Sequence, residues 1–267
     1  MSIGTIDQQL VPPPEFREAV NGSPASPEAH VSQGRHLRDV VIERCELKPT
    51  DTVLDLGCGC GRVASQFAKT FRGEYHGLDI VLPMVVWCRL NISARFPNFW
   101  FHHADLANTL YSGDAATYVF PFADLANTPY SGGKGDAATY MFPFPDASFD
   151  VVFAFSVFTH LMPPSAEQYA REVSRVLRQG GRALLTFYLI NDERRSAANE
   201  TVATSFAHEF AGYRLASLEI PESVIAYEQD DALRMFEVCG LRIEEVSLGT
   251  WAKNPGWTYQ DAILATK

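Results

Sequence analysis

Val53-Leu54-Asp55-Leu56-Gly57-Cys58-Gly59-Cys60-Gly61-Arg62-Val63 reads as a short buried strand ending in an acid, a glycine turn, and a helix beginning near Arg62. Glycine belongs in such a turn because it tolerates positive φ and lets backbone approach a ligand closely. A strand, a glycine turn and a helix N-terminus form the phosphate- or nucleotide-cradling geometry of open α/β sheets. The spacing narrows the ligand. A dinucleotide fingerprint needs G-x-G-x-x-G. Here the third glycine comes one position early, at Gly61, and Arg62 stands where the fingerprint needs glycine. Asp55, just ahead of the turn, would repel a pyrophosphate. An acid there suits a ligand with a positive end, such as an α-amino group.

Outward from this turn, the chain carries further strand-tip acids. Glu74 to Ile80 reads as a second strand ending in Gly77-Leu78-Asp79-Ile80. In nucleotide-binding α/β folds an acid at that point hydrogen-bonds the ribose hydroxyls. Asp79 could instead cap the helix that follows from Met84. Phe99 to His103 is a third strand, left through Ala104-Asp105-Leu106. His102 and His103, adjacent on it, face opposite sides and cannot act together. Ser148 to Phe158 is the most hydrophobic strand and is expected at the centre of the sheet. Ser165-Ala-Glu-Gln168 reads as a capping box, with a helix stopped by Gly180-Gly181 and a fifth strand over Arg182 to Ile190. Asp231 to Cys239 reads as a helix, and Leu241 to Leu248 and Tyr259 to Thr266 as two closing strands.

Two stretches stand apart. Met1 to Ser32 carries Pro12-Pro13-Pro14 and further prolines at 24 and 27, a density that argues against regular helix. It reads as an arm, with a helix following over Gln33 to Leu47. Asn191 to Gln229 is polar with scattered aromatics (Phe206, Phe210, Tyr213, Tyr227) and no clear period, and reads as a cap insertion.

Between the third strand and the central one lies an internal repeat. Ala104-Asp-Leu-Ala-Asn-Thr-Leu-Tyr-Ser-Gly113 recurs as Ala123-Asp-Leu-Ala-Asn-Thr-Pro-Tyr-Ser-Gly132. Asp114-Ala-Ala-Thr-Tyr-Val-Phe-Pro-Phe122 recurs as Asp136-Ala-Ala-Thr-Tyr-Met-Phe-Pro-Phe144. Solenoids need three or more units. Two copies over Ala104 to Phe144 read as a tandem duplication inside one connection. Gly132-Gly133-Lys134-Gly135 is not a P-loop, since the spacing and the Ser/Thr after Lys are missing.

Composition excludes several function classes. The 267 residues and 46% hydrophobic share suffice for a core. A net charge of −10 argues against nucleic acid or an anionic membrane as the main partner. No apolar run is long enough to span a bilayer, and no signal peptide is visible. Five cysteines without framework spacing point to the reducing cytoplasm. Cys58 and Cys60 have no second pair with which to build a zinc site, so no metal is expected.

The motif D-x-G-x-G-x-G at Asp55–Gly61 resembles motif I of class I S-adenosylmethionine (SAM)-dependent methyltransferases. Gly77-Leu-Asp79, Ala104-Asp105, Phe149-Asp-Val-Val-Phe153 with Ser156-Val-Phe-Thr-His160, and Leu177-Arg-Gln-Gly-Gly181 follow in the order of that family over about Gln33 to Lys267. The resemblance implies a Rossmann-like, doubly wound α/β sheet of about seven mostly parallel strands, one antiparallel at the C-terminal end, with helices on both faces. It implies SAM as cofactor and methyl transfer to a small-molecule acceptor. Asp55 would hold the amino group of the methionine moiety, with Gly57, Cys58, Gly59 and Gly61 giving close approach. Asp79 and Ile80 would meet the ribose, Asp105 and Leu106 the adenine, and Phe155, Ser156 and Val157 would floor the pocket. The duplication leaves Asp105 and Asp124 as alternatives for the adenine side. No catalytic residue follows, because the family has no universal one. His160 is the positional candidate for a general base but reads first as a hydrogen-bonded structural histidine near a helix start. The acceptor site is expected between the Met1–Ser32 arm and the Asn191–Gln229 cap. Two other classes stay open: a SAM-binding protein without catalysis, and a nicotinamide-dependent oxidoreductase, against which Asp55 and Arg62 count.

Overall fold

A computed structural model describes residues 6–111, 133–195, 205–253 and 255–267. The N-terminal stretch departs from the sequence expectation. It forms α1 (Pro14–Asn21) and the start of α2 (Pro27–Arg44). The prolines begin these helices instead of breaking them. At the first helical position proline loses no hydrogen bond and its fixed φ is already helical. Ser26 completes the start of α2 by accepting from Ala29 N–H at 3.2 Å.

The body then alternates strand and helix: β1 (Val53–Leu56), α3 (Ala64–Phe67), β2 (Tyr75–Asp79), α4 (Leu82–Cys88), β3 (Phe99–His103), β4 (Phe149–Ala154), α5 (Pro163–Val176) and β5 (Leu177–Phe187). The expected capping box at Ser165 is not formed; α5 opens two residues earlier, at Pro163. Nor do Gly180 and Gly181 end that helix. They lie within β5, whose ladder with β4 shifts register between Phe149 and Val151.

The Asn191–Gln229 stretch, in which no clear period is read from sequence, contributes to a small second sheet. It comprises β6 (Leu189–Ile190), β7 (His208–Phe210), β8 (Tyr213–Leu215) and β9 (Ile225–Glu228), in the order β6-β9-β8-β7. These strands are too short for a period-2 pattern to be read from sequence. The chain closes with α6 (Gln229–Glu237), β10 (Arg242–Ser247) and β11 (Asp261–Thr266).

The main sheet has seven strands in the order β10-β11-β5-β4-β1-β2-β3, and β4 is its centre. All its ladders are parallel except those of β11, which runs antiparallel to β5 and β10. This is the doubly wound arrangement expected. Apolar side chains on both faces of β1 and β4 explain their continuous hydrophobic runs. Leu54, Leu56, Val152 and Ala154 pack with α5 and α6 on one face. Val53, Val151 and Phe153 pack with α2, α3 and α4 on the other. Burying each such large apolar side chain contributes about 1.5–3 kcal/mol. Parallel winding brings the carboxyl ends of β1, β2 and β4 to one edge, where Asp55 pairs in register with Gly77 and Phe153. Among the described residues no helix is long and apolar enough to cross a membrane, and no group of His, Cys, Asp or Glu could hold a metal ion.

Candidate functional site

The turn after β1 folds onto the tip of β2. At Gly57 φ is +70°, and a Cβ there would lie 2.4 Å from Val157 Cγ2. Only glycine fits. Gly57 and Cys58 N–H donate to the Leu78 carbonyl at 2.8 and 3.3 Å. Gly59 N–H donates to Asp79 Oδ2 at 2.7 Å, and Val81 N–H to Asp79 Oδ1 at 2.8 Å. Asp79 therefore pins the glycine turn to the start of α4, while each carboxylate oxygen keeps a further lone pair. Asp55 accepts from Tyr75 Oη at 2.5 Å.

Both acids are buried. Burial pushes the Asp55 carboxyl up to about 8; the Tyr75 bond opposes the rise and the Asp79 charge adds to it. Asp79 is also raised by burial, against the pull of the Val81 and Gly59 N–H groups. Arg62 stands opposite, its Nη1 donating to Val20 O, Asn21 Oδ1 and Gln33 Oε1. Two acids and one guanidinium suit a ligand with positive groups and one negative group.

These residues enclose a cavity of about 180 Å³. Asp55, Gly57, Cys58, Gly59, Asp79, Ile80, Leu106, Phe155, Ser156 and Val157 line it. Two residues expected there do not. A Cβ on Gly61 would meet Ile92 Cδ1 at 2.6 Å, so this glycine is required by the chain packed behind the turn. Asp105 is exposed, and its carbonyl accepts from Gly135 N–H at 2.8 Å. The neighbouring Leu106, Ala107 and Asn108 face the cavity instead. Asp124 lies outside the described residues. Sequence reasoning missed Ala19 and Val20 on α1, and noted Arg62 only for spoiling a dinucleotide spacing.

The duplicated connection is closed at its base. Leu106 and Gly135 form a parallel bridge. Ala107 N–H donates to Gly135 O at 2.8 Å, and Gly133 N–H to Leu106 O at 3.1 Å. The head of the first copy thus lines the cavity, while Ala137 and Phe142 from the tail of the second copy join the core.

A second chamber of about 950 Å³ adjoins the first and shares with it Ala19, Val20, Arg62, Phe155, Ser156 and His160. The arm contributes Glu18 to Gly22, and the 256–260 stretch contributes Trp257, Tyr259 and Gln260. Among the described residues the expected cap contribution is small. Val224 lines the chamber, but Phe210 is exposed and stacks on Tyr213 at 5.0 Å. Tyr213 belongs to a separate cavity beside Tyr227 and α6.

Two residues sit on the wall between cavity and chamber. Ser156 has φ +60°, a costly conformation for a non-glycine residue and one that clusters at functional sites. Its N–H donates to Thr186 Oγ1 at 2.8 Å, and its Oγ to Gln260 Oε1 at 3.0 Å. His160 Nδ1 lies 3.0 Å from the Glu222 carbonyl. A carbonyl only accepts, so Nδ1 carries the proton and Nε2 is the basic nitrogen. Burial lowers the His160 pKa, so the ring is neutral at pH 7.

A doubly wound sheet with an acid-tipped glycine turn, a second strand-tip acid and an adjoining chamber defines a nucleotide-cofactor enzyme fold of the methyltransferase type. Two family models, each described as a methyltransferase domain, match residues 53–132 and 123–185. The second match begins at Ala123, where the second repeat copy opens. Phosphoethanolamine N-methyltransferase 2 of Caenorhabditis elegans is 27% identical over 144 residues, 54% of this chain and 25% of that protein. The chain thus matches about a quarter of that relative's length. Among solved structures, a SAM-dependent methyltransferase from Methanosarcina mazei is 20% identical with a TM-score of 0.51, over 85% of this chain and 96% of that one. The [4+2]-cyclase SpnF is 17% identical with a TM-score of 0.55, over 87% and 81%. Residues 53–185 thus match methyltransferase-domain models, and the motif order and sheet topology agree with the class I SAM-dependent methyltransferase fold.

Proposed function

We propose that the protein transfers a methyl group from SAM to a small-molecule acceptor held in the larger chamber. The observation carrying this reading is the shared wall of Phe155, Ser156 and His160 between an acid-lined cofactor cavity and a chamber large enough for an organic acceptor. The cavity fits SAM in chemistry. Asp55 and Asp79 meet its amino group and ribose, Arg62 meets its carboxylate, and Ile80, Met84 and Leu106 provide an apolar slot for the adenine. Bound SAM supplies an already activated methyl group. The chain's own work is therefore to position the acceptor and exclude water. His160, which lines both spaces, would take the acceptor's proton on Nε2.

Calorimetry with SAM, S-adenosylhomocysteine and NADH, followed by detection of S-adenosylhomocysteine release against an acceptor library, tests the proposal. SAM-dependent turnover with no NADH binding is expected. NADH binding without SAM binding would overturn the cofactor assignment. SAM binding without turnover of any acceptor would leave a non-catalytic SAM-binding protein.

A further inference from the structure

Ser156, just past the end of β4, holds a conformation that its own backbone does not favour. Its φ of +60° lies in the left-handed region, where a residue with a Cβ persists only when its surroundings over-determine it. Those surroundings can be named. The Ser156 N–H donates to Thr186 Oγ1 on the neighbouring β5 at 2.8 Å, and Ser156 Oγ donates to Gln260 Oε1 at 3.0 Å. Thr186 Oγ1 donates to the same Gln260 Oε1 at 2.7 Å. One amide oxygen therefore receives both hydroxyls, which fills its two lone pairs.

The rest of the clamp follows from that count. Tyr188 is hydrogen-bonded to the Gln260 side chain. With Oε1 occupied, this bond falls to the amide nitrogen, which donates to Tyr188 Oη. Gln260 immediately precedes β11, whose Asp261 pairs with Phe187 between Thr186 and Tyr188. A single side chain thus ties the start of β11 to the ends of β4 and β5. The Thr186 hydroxyl has one other acceptor in reach, the Ala154 carbonyl at 3.4 Å. Loss of the Gln260 amide would turn that hydroxyl toward Ala154 and release Ser156 Oγ to solvent.

The clamp lies on the acceptor side and acts on the cofactor side. Thr186, Tyr188 and Gln260 line the larger chamber and not the cofactor cavity, whereas Phe155 and Ser156 line both. Val157, the next residue, packs over the glycine turn so closely that a Cβ on Gly57 would lie 2.4 Å from its Cγ2. A rotation about the Ser156 backbone would move Val157 against that turn.

Resting on the methyltransferase reading above, we propose that Gln260 is a positioning residue for methyl transfer, holding Ser156 in its left-handed conformation and thereby setting the cofactor wall of Phe155 and Val157. Its influence on the cofactor passes through Ser156 and not through contact.

Calorimetric titration of S-adenosylhomocysteine into the full chain, below the melting transition of every variant, tests the assignment. Gln260→Met keeps the length and shape of the side chain and deletes its hydrogen-bonding groups. It is expected to weaken S-adenosylhomocysteine at least about fivefold, although Gln260 lies outside the cofactor cavity. Gln260→Glu retains oxygen acceptors for both hydroxyls and should bind within about twofold of the parent. Ser156→Gly supplies the discriminating background. Glycine adopts positive φ without strain, so nothing is left for Gln260 to hold. In that background Gln260→Met should change the affinity by less than about twofold. A simple packing defect at Gln260 would not be relieved by glycine in place of Ser156. Unchanged affinity in Gln260→Met, equal losses in both backgrounds, or the same loss in Gln260→Glu would overturn the positioning role. Failure of the unmodified protein to bind S-adenosylhomocysteine would instead overturn the cofactor reading, so the two failures are distinguishable.

Discussion

Tyr75 Oη donates to Asp55 Oδ2 across adjacent parallel strands, both side chains out of water. The carboxyl still rises to about 8 because burial outweighs the hydrogen bond. The folded, ligand-free protein holds a proton there that the unfolded chain releases near pH 4. Stability should therefore fall as pH rises from about 4 toward 8. A cationic ligand favours the ionised form, so SAM affinity should rise over the upper part of that window and level off above it. Calorimetry in buffers of different ionisation enthalpy should show proton release on binding near pH 7. Asp55→Asn should remove both the release and the pH dependence. Tyr75→Phe should raise the midpoint, since it deletes the group that holds the pKa down.

Asp79 makes a different prediction, because its oxygens are bound to backbone. Asp79→Ala should lower the melting temperature, leaving the buried Gly59 and Val81 N–H groups without acceptors. It should weaken SAM binding by roughly 1.5–3 kcal/mol. A variant that melts normally and binds normally would show that the strand-tip acid serves neither the turn nor the ligand.

His160→Gln should reduce turnover by about 10²–10⁴-fold if the ring moves a proton, with SAM affinity within about twofold. Burial depresses the His160 pKa. The base therefore stays unprotonated from pH 8 down to its ordinary range near 6.5, and kcat should be flat there. The KM for SAM should climb over the same interval as Asp55 takes up its proton. A kcat that falls between pH 8 and 7 would separate His160 from the proton transfer.

Asp261 predicts stability more than chemistry. It is fully buried and accepts from Arg194, from Gly249 and Leu189 N–H, and from Trp251 Nε1. Removing one member of a buried ion pair typically costs about 3–5 kcal/mol. Asp261→Ala should therefore destabilise strongly in chemical denaturation. It should also loosen the 249–260 stretch that walls the acceptor chamber, raising acceptor KM at temperatures where the variant is folded.

The repeat gives a test by deletion. Removing Ser112–Tyr130 joins Tyr111 to Ser131 and keeps Asp105 to Leu110, Gly133 and Gly135 in place. The bridge at Leu106 and Gly135 should survive. Shortening the loop changes closure cost by well under about 1 kcal/mol. The variant should melt no lower than the parent and bind SAM as well. Insolubility would mean that the duplicated segment is part of the core.

Much of the sheet was legible, because β1 and β4 are apolar on both faces, β1 runs into a glycine turn and β2 ends in an acid at the same edge. Most of the residues named from that edge do line the smaller cavity. What escaped was set by tertiary contact. Pro14 and Pro27 look like helix breakers until the helix is seen to begin on them. Gly61 serves the packing against Ile92, and Asp105 is turned out by the Gly135 bond, features that no local spacing records. The small second sheet rests on strands of two to four residues, too short to carry a period. The chamber's aromatics are distant in sequence. Tyr259 reads only as the start of a closing strand, and Trp257 is not singled out.

The Leu106–Gly135 bridge holds the two described ends of the duplicated connection within hydrogen-bonding reach of each other. A nineteen-residue copy could be added there while the residues on either side kept their places. The same connection offers a grafting port, where an epitope tag or a reporter domain spliced between Ser112 and Gly132 should be carried without disturbing the fold.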